Sequence, residues 1–192
     1  MKKMLTTLLC CGLLFAMTDY GKAAGGKAAE YFNMLAGGTF HMKARITAED
    51  GSKMDMETFA KDGNVATTMI SDSDGQTGRT VLKGNKMHVI IDSAKMIMVS
   101  ESMDPKADFM QADGMVLTGS GSAMFDGRNL PYEEYTDKEG DGKTQFFFDG
   151  GKLAGIRNVV NGGKVDTVVL ALDKNIPANA FDIPAGYNII KN

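Results

Sequence analysis

The 192-residue chain contains no tryptophan, two histidines and two cysteines, and both cysteines, Cys10 and Cys11, lie near its start. Each scarcity closes off a class of chemistry. With no cysteine after residue 11, the body of the chain holds no disulfide, no thiol nucleophile and no cysteine-bound metal. His41 and His88 have no motif partner, and strand alternation puts each opposite the methionine side, so both read as sheet-face residues rather than bases or ligands. No basic run interleaves with aromatics, which argues against a nucleic-acid partner. No phosphate loop or dinucleotide fingerprint occurs. Ser120 sits in Gly119-Ser120-Gly121, which is not the five-residue nucleophile elbow. Glu133 and Glu134 are adjacent, so on a strand they point to opposite faces and make a poor acid/base pair. Asp72-Ser73-Asp74-Gly75 opens like a calcium loop, but the twelfth position is Lys83 where a glutamate ligand is required, so the segment reads as a hairpin turn. The chain reads as a non-enzyme, with no catalytic residue, metal or cofactor expected.

What is present begins with Lys2 and Lys3, an apolar run from Met4 to Met17, and small residues around Gly21-Lys22-Ala23-Ala24. That is the layout of a secretory signal peptide. The run is well short of the roughly 20 apolar residues a membrane-spanning helix needs. Residues 1–23 are therefore expected to be removed, leaving 24–192 as one exported domain in the periplasm or envelope. Losing Lys2, Lys3, Lys22 and Asp19 makes the formal charge of −3 more negative by two, a mildly acidic balance that serves solubility. A lipid anchor on Cys10 or Cys11 is the competing reading. Neither cysteine is preceded by Gly, Ala or Ser, and the apolar run continues past them through Leu13-Leu14-Phe15, which disfavours it.

Turn signals punctuate the body of the chain: Glu49-Asp50-Gly51-Ser52, Lys61-Asp62-Gly63-Asn64, Lys83-Gly84-Asn85-Lys86, Asp149-Gly150-Gly151-Lys152 and Asn161-Gly162-Gly163-Lys164. Such pairs supply the positive φ of tight hairpins, and their spacing of about 9 to 13 residues is that of an antiparallel β protein. The segments between them alternate. Phe40, Met42, Ala44 and Ile46 share a side, as do Met54 and Met56, Met87, Val89 and Ile91, and Met96 and Met98. Later strands such as Phe146-Phe147-Phe148 are apolar throughout and read as covered on both faces. Two stretches break the pattern. Residues 27–36 place Ala28, Phe32 and Leu35 at helical spacing before Gly37-Gly38. Residues 104–115 open Asp-Pro and carry Phe109, Met110 and Met115; after the flexible Gly119-Ser120-Gly121-Ser122, Ala123 to Gly127 reads as another helical turn. The expectation is a mainly β domain of about ten strands: a curved antiparallel sheet with an N-terminal helix and a short helical insertion.

Three stretches resemble the LolA/LolB-like superfamily, which includes LppX-type lipoproteins. They are Thr39-Phe40-His41-Met42-Lys43-Ala44 after the first helix, the hairpin Gly84-Asn85-Lys86-Met87-His88-Val89-Ile90-Ile91-Asp92, and the closing Ile176-Pro177-Ala178-Asn179-Ala180-Phe181-Asp182-Ile183-Pro184-Ala185-Gly186-Tyr187. The resemblance implies an incomplete or half β-barrel, a strongly curved antiparallel sheet around an apolar cavity, with the helical insertion as a lid, and a carrier or sensor role toward lipids or lipoprotein acyl chains. The strand tryptophans and cavity arginine of the lipoprotein carriers have no counterpart here.

Methionine is the abundant oddity, with 15 residues, of which only Met1, Met4 and Met17 precede the expected cut. Flexible and polarizable, it suits a surface that adapts to varied apolar ligands. The candidate ligand-binding residues are Phe40, Met42, Ile46, Met54, Met56, Met87, Val89, Ile91, Met96 and Met98, with Phe109, Met110 and Met115 on the lid. The expected partner is a lipid or acyl chain, with an envelope lipoprotein or membrane as a second partner, and the chain is expected to be a monomer. An ordinary methionine-filled core without a ligand, in an interaction or assembly protein, is the alternative. Met54-Asp55-Met56 and Met96-Ile97-Met98 also have the spacing of a Cu(I) thioether site, but strand alternation produces that spacing unaided.

Processing is tested by the intact mass of the exported protein. A mature chain beginning at Ala24 or Gly25 is expected, and a diacylglycerol adduct on Cys10 or Cys11 would overturn the soluble reading.

Overall fold

The computed structural model describes residues 26–36, 38–72, 75, 77–101, 116–136, 142–160 and 163–191. One α-helix, α1 (Ala28–Ala36), precedes β1 (Phe40–Thr47), β2 (Lys53–Lys61), β3 (Asn64–Ser71), β4 (Thr77–Lys83), β5 (Lys86–Ile91) and β6 (Met96–Glu101). β7 (Val116–Phe125), β8 (Arg128–Thr136), β9 (Gly142–Asp149), β10 (Lys152–Val160), β11 (Gly163–Asp173) and β12 (Asn188–Lys191) follow. All twelve strands form one open, curved sheet in the order β12-β6-β5-β4-β3-β2-β1-β11-β10-β9-β8-β7. This is the mainly β antiparallel sheet expected from the turn spacing and the half-barrel that the resemblance implies, with two more described strands than the ten or so expected.

The expected helical turn at Ala123 to Gly127 is a correction. Residues 116–125 are β7, and Asp126 and Gly127, at φ 47° and 73°, form the tight hairpin into β8. Glycine and serine give β7 little hydrophobic alternation to read. Its order comes from pairing with β8, from Val116 opposite Thr136 to Phe125 opposite Arg128. The lid residues Phe109, Met110 and Met115 lie outside the described residues.

The sheet consists of two meanders, β1 to β6 and β7 to β11. They meet where β1 pairs antiparallel with β11, from His41 opposite Asp173 to Thr47 opposite Asp166. A bulge at Lys43/Ala44 leaves Leu170 without an opposite residue, and its side chain is 57% exposed. Every neighbouring pair is antiparallel except β12 with β6. β6 and β7 stand ten strand spacings apart, about 48 Å along the sheet. The chain from Glu101 to Val116 reaches roughly 50 Å when fully extended. A flat sheet would stretch that connection to its limit, and curvature shortens the gap.

The registers put Phe40, Met42, Ala44 and Ile46 on one face with Met54 and Met56, Met69, Leu82, Phe146, Phe148 and Ile156. Their buried members belong to one continuous cluster running across the sheet from β4 to β8, capped by Ala28 and packed on by Tyr31 and Met34 of α1. The opposite face carries two separate clusters. One joins Ala66, Val81, Ile90 and Ile97 with Phe181, Ile183 and Tyr187 of the closing segment. The other joins Phe125, Leu130, Phe147 and Ala154. Side chains converge on the inside of a bend and spread on its outside, so the face under α1 is the inner one.

Gly155 is required by the outer cluster. The Phe125 ring lies where a side chain at 155 would go, stacked on Phe147 at 4.4 Å between centroids. The Arg157 guanidinium stands 5.5 and 5.1 Å from the two ring centres and pairs with Asp166 at 2.7 Å. A Cβ at 155 would also lie 2.6 Å from the Thr167 carbonyl oxygen, which is backbone and cannot swing away. Gly155→Ala is expected to cost about 3 kcal/mol, read as a lower denaturant midpoint at unchanged m-value. Gly78→Ala, with open space at its Cβ position, is the neutral control.

Candidate functional site

The strand alternation of β1 to β6 sorts side chains sharply by chemistry. Across β1 to β6, neighbouring strands align Ala44, Met56, Met69, Gly78, Ile91 and Met96 in one row of the inner face. The next row runs Met42, Thr58, Thr67, Thr80, Val89 and Met98. No strand residue of the inner face from β1 to β6 is charged. The charges of these strands lie outside. There Arg45 makes a two-pronged pair with Asp55 (2.7 and 2.9 Å) that holds the Asp55 carboxyl below the usual carboxylate range. His41 lies between Glu57 at 2.8 Å and Asp173 at 3.3 Å and stacks on Phe59. His88 also faces outward, 3.2 Å from the Val81 carbonyl.

Helix α1 is fixed over one part of the inner face. The Glu133 carboxylate of β8 accepts from the backbone N–H of Lys27 (2.8 Å) and of Ala28 (2.9 Å), meeting two amides that the first helical turn leaves unpaired. The Tyr135 hydroxyl donates to the same carboxylate at 3.1 Å. Burial, followed by that bond, pushes the phenol well above its ordinary value, so it stays a donor. Farther along the helix, the Tyr31 hydroxyl accepts from Leu153 N–H at 2.9 Å and donates to the Gly151 carbonyl at 3.4 Å.

The helix leaves the inner face in two unequal parts. Phe40, Met42, Ile46 and Met56 are buried in the cluster to which α1 adds Ala28, together with Met69. Met54, Met87, Val89, Ile91, Met96 and Met98 are only half-buried. Gly78 lies among them, between Met69 and Ile91, and a Cβ built there meets no described residue within 4 Å. The structure therefore brings the ten expected residues onto one face and divides them between a packed floor and an open apolar flank over β4 to β6. Other members of this face escape sequence reasoning. Met69 falls in Val65-Ala66-Thr67-Thr68-Met69-Ile70, which is apolar or small on both sides and shows no period. Thr67 and Thr80 carry no apolar signal, although their place on the face follows from register, whereas Thr58 follows from its alternation with Met54 and Met56. Gly78 has no side chain to contribute to a pattern. Among the described residues, no group of His, Cys, Asp and Glu is placed to hold a metal ion.

The closing segment works on the other face. Arg79 Nη2 donates to the carbonyls of Ala180 (3.2 Å) and Asp182 (3.0 Å), and the Tyr187 hydroxyl donates to Asp92 at 2.9 Å. This straps Phe181 and Ile183 over the outside of β3 to β6, so the inner face opposite stays free of the segment.

No protein-family model matches the chain, and no curated protein matches it in sequence. Solved structures do match. An uncharacterised conserved protein from Thermus thermophilus superposes with a TM-score of 0.54 at 8% identity, over 81% of this chain and 91% of that one. The lipoprotein LppX of Mycobacterium tuberculosis superposes with a TM-score of 0.50 at 13% identity, over 81% of this chain and 96% of that one. The fold is LolA/LppX-like. Within that fold, α1 and its Glu133 anchor define which part of the inner face is sealed.

Removing the anchor tests this division. Glu133→Ala strips a charged acceptor from two amides and a phenol, and is expected to cost about 2 kcal/mol. Hydrogen exchange should accelerate at Lys27 and Ala28 while the β1 amides keep their protection. Equal acceleration in both places would show that α1 is not separately anchored.

Proposed function

We propose that the chain is an exported envelope protein that binds a lipid or acyl chain against the open flank of its inner face, as a carrier or sensor and not as an enzyme. The observation that carries this is the space over Gly78, where a Cβ has no described residue within 4 Å, beside the half-buried Val89, Ile91, Met96 and Met98. A soluble protein stabilises apolar side chains by burying them, at about 25 cal/mol per Å² removed from water. This flank leaves that stabilisation incomplete, and an acyl chain laid along it would complete it. Methionine fits the role, because its flexible thioether repacks around chains of different shape. The LolA/LppX-like fold supports the reading, as do the signal-peptide pattern and the absence of a charged strand residue on this part of the inner face.

The second reading, a protein with a packed interior acting through its surface, draws on Met42, Met56 and Met69, which are already buried at 2%, 3% and 5% exposure. Three substitutions separate the two readings. Gly78→Phe fills the space without backbone strain, since the φ at 78 is not positive. It is expected to weaken binding of a fluorescent acyl probe at least about tenfold with no loss of melting temperature. Met98→Lys should also lose the probe while remaining folded, because the ammonium stays hydrated on the open flank. Met56→Lys buries an unpaired charge and should unfold the protein. A wild type that binds no apolar probe would sink the carrier or sensor reading and leave the packed-interior protein standing.

A further inference from the structure

The ligand's chemistry follows from a feature that an acyl-binding surface does not require, a row of three hydroxyls set into it. Thr58, Thr67 and Thr80 lie side by side on β2, β3 and β4, at 5%, 3% and 8% exposure. Thr58 and Thr67 share a hydrogen bond of 3.1 Å. Thr80 makes no side-chain hydrogen bond among the described residues. None of their sealed side-chain oxygens or nitrogens lacks a partner, so the Thr80 oxygen is one that solvent still reaches. On its own strand Thr80 is two residues from Gly78 and therefore borders the empty space; across the sheet it faces Val89, with Met98 beyond. Three hydroxyls bring three protons, and one suffices for the Thr58–Thr67 bond. The row thus keeps donor capacity at the edge of an otherwise apolar, uncharged surface.

We propose that this row makes the site selective for acyl chains joined through a neutral carbonyl, an ester or amide, whose oxygen accepts from Thr80. This rests on the acyl-binding reading above and narrows it. A bare alkyl chain laid over Thr80 would strip water from the hydroxyl and return nothing, whereas a carbonyl oxygen replaces that water. A free carboxylate would also accept, but no strand residue on the inner face of β1 to β6 supplies a cation to offset its desolvation. The site therefore suits the linkage region of a neutral glyceride or of an acylated protein terminus better than a charged fatty-acid head.

The test compares a fluorescent diacylglycerol with its dialkyl ether of the same chain length, titrated into the full exported protein. The diester should bind about tenfold more tightly than the diether, the value of one well-placed hydrogen bond weighed against an unpaired hydroxyl. Thr80→Val, which keeps shape and removes the hydroxyl, should abolish that preference, weakening the diester and tightening the diether as the unpaired hydroxyl is lost, and Thr80→Ser should retain it. Melting temperatures of both variants should stay at the wild-type value, because Thr80 makes no side-chain hydrogen bond among the described residues. Equal affinity of the wild type for both lipids, or a preference that survives Thr80→Val, would overturn the carbonyl assignment and leave acyl binding intact. Binding of neither lipid would overturn acyl binding itself, and the carbonyl assignment with it.

Discussion

The pairing of β1 with β11 is the joint on which everything else rests. Each meander is built from hairpins whose strands are close in sequence, and each would bury little by itself. Among the described strands, the pairing between the two runs through β1 and β11, some 130 residues apart in the chain. That pairing sets Met42 beside Leu172 and Ala44 beside Val169, and it merges two half-cores into one cluster from Leu82 to Ile156. It also places β6 and β7 at far ends of the sheet, a separation their short connection bridges more easily when the sheet is bent. The closing of so long a loop costs entropy before any contact rewards it, and His41 strengthens the joint by lying between a carboxylate of β2 and one of β11.

Curvature then decides what each face can do. The inner face gathers one core and receives α1, held by Glu133 and Tyr31. The outer face splits into two clusters, one of them covered by the closing segment that Arg79 grips. The two coverings sit on opposite faces and over different strands. Among the described residues, neither covering reaches the inner side of β4 to β6, which lies opposite the strap and beyond the helix. A protein that only needed stability would fill the space over Gly78 with a side chain, and the φ of that residue allows one.

Much of this is legible residue by residue. The alternation of Phe40, Met42, Ala44 and Ile46, and of Met54 with Met56, assigns these side chains to one face on pattern alone, because the period of a strand is two. Asp-Gly and Asn-Gly pairs mark the hairpins, since few other residues accept positive φ. β7 is not legible: Gly119-Ser120-Gly121-Ser122 looks the same as strand or as flexible loop, and only the hydrogen bonds of β8 distinguish them. Met69, Thr67 and Thr80 escape for a related reason. Their side chains stand where small, polar and apolar neighbours mix, so no periodic contrast points to a face.

By itself, the sequence determined the β class, the meander order, the N-terminal helix and the methionine face, because each depends on contacts between near neighbours or on strand period alone. It also resembles an exported chain, through features confined to its first residues. Only the tertiary structure decided which methionines are sealed and which are open, that Glu133 belongs to a helix 105 residues earlier, and that Thr80 stands at the edge of an unfilled space. Those outcomes depend on the register between strands and on where α1 and the closing segment land on a curved sheet. Both are set by packing between distant residues, which local pattern does not encode.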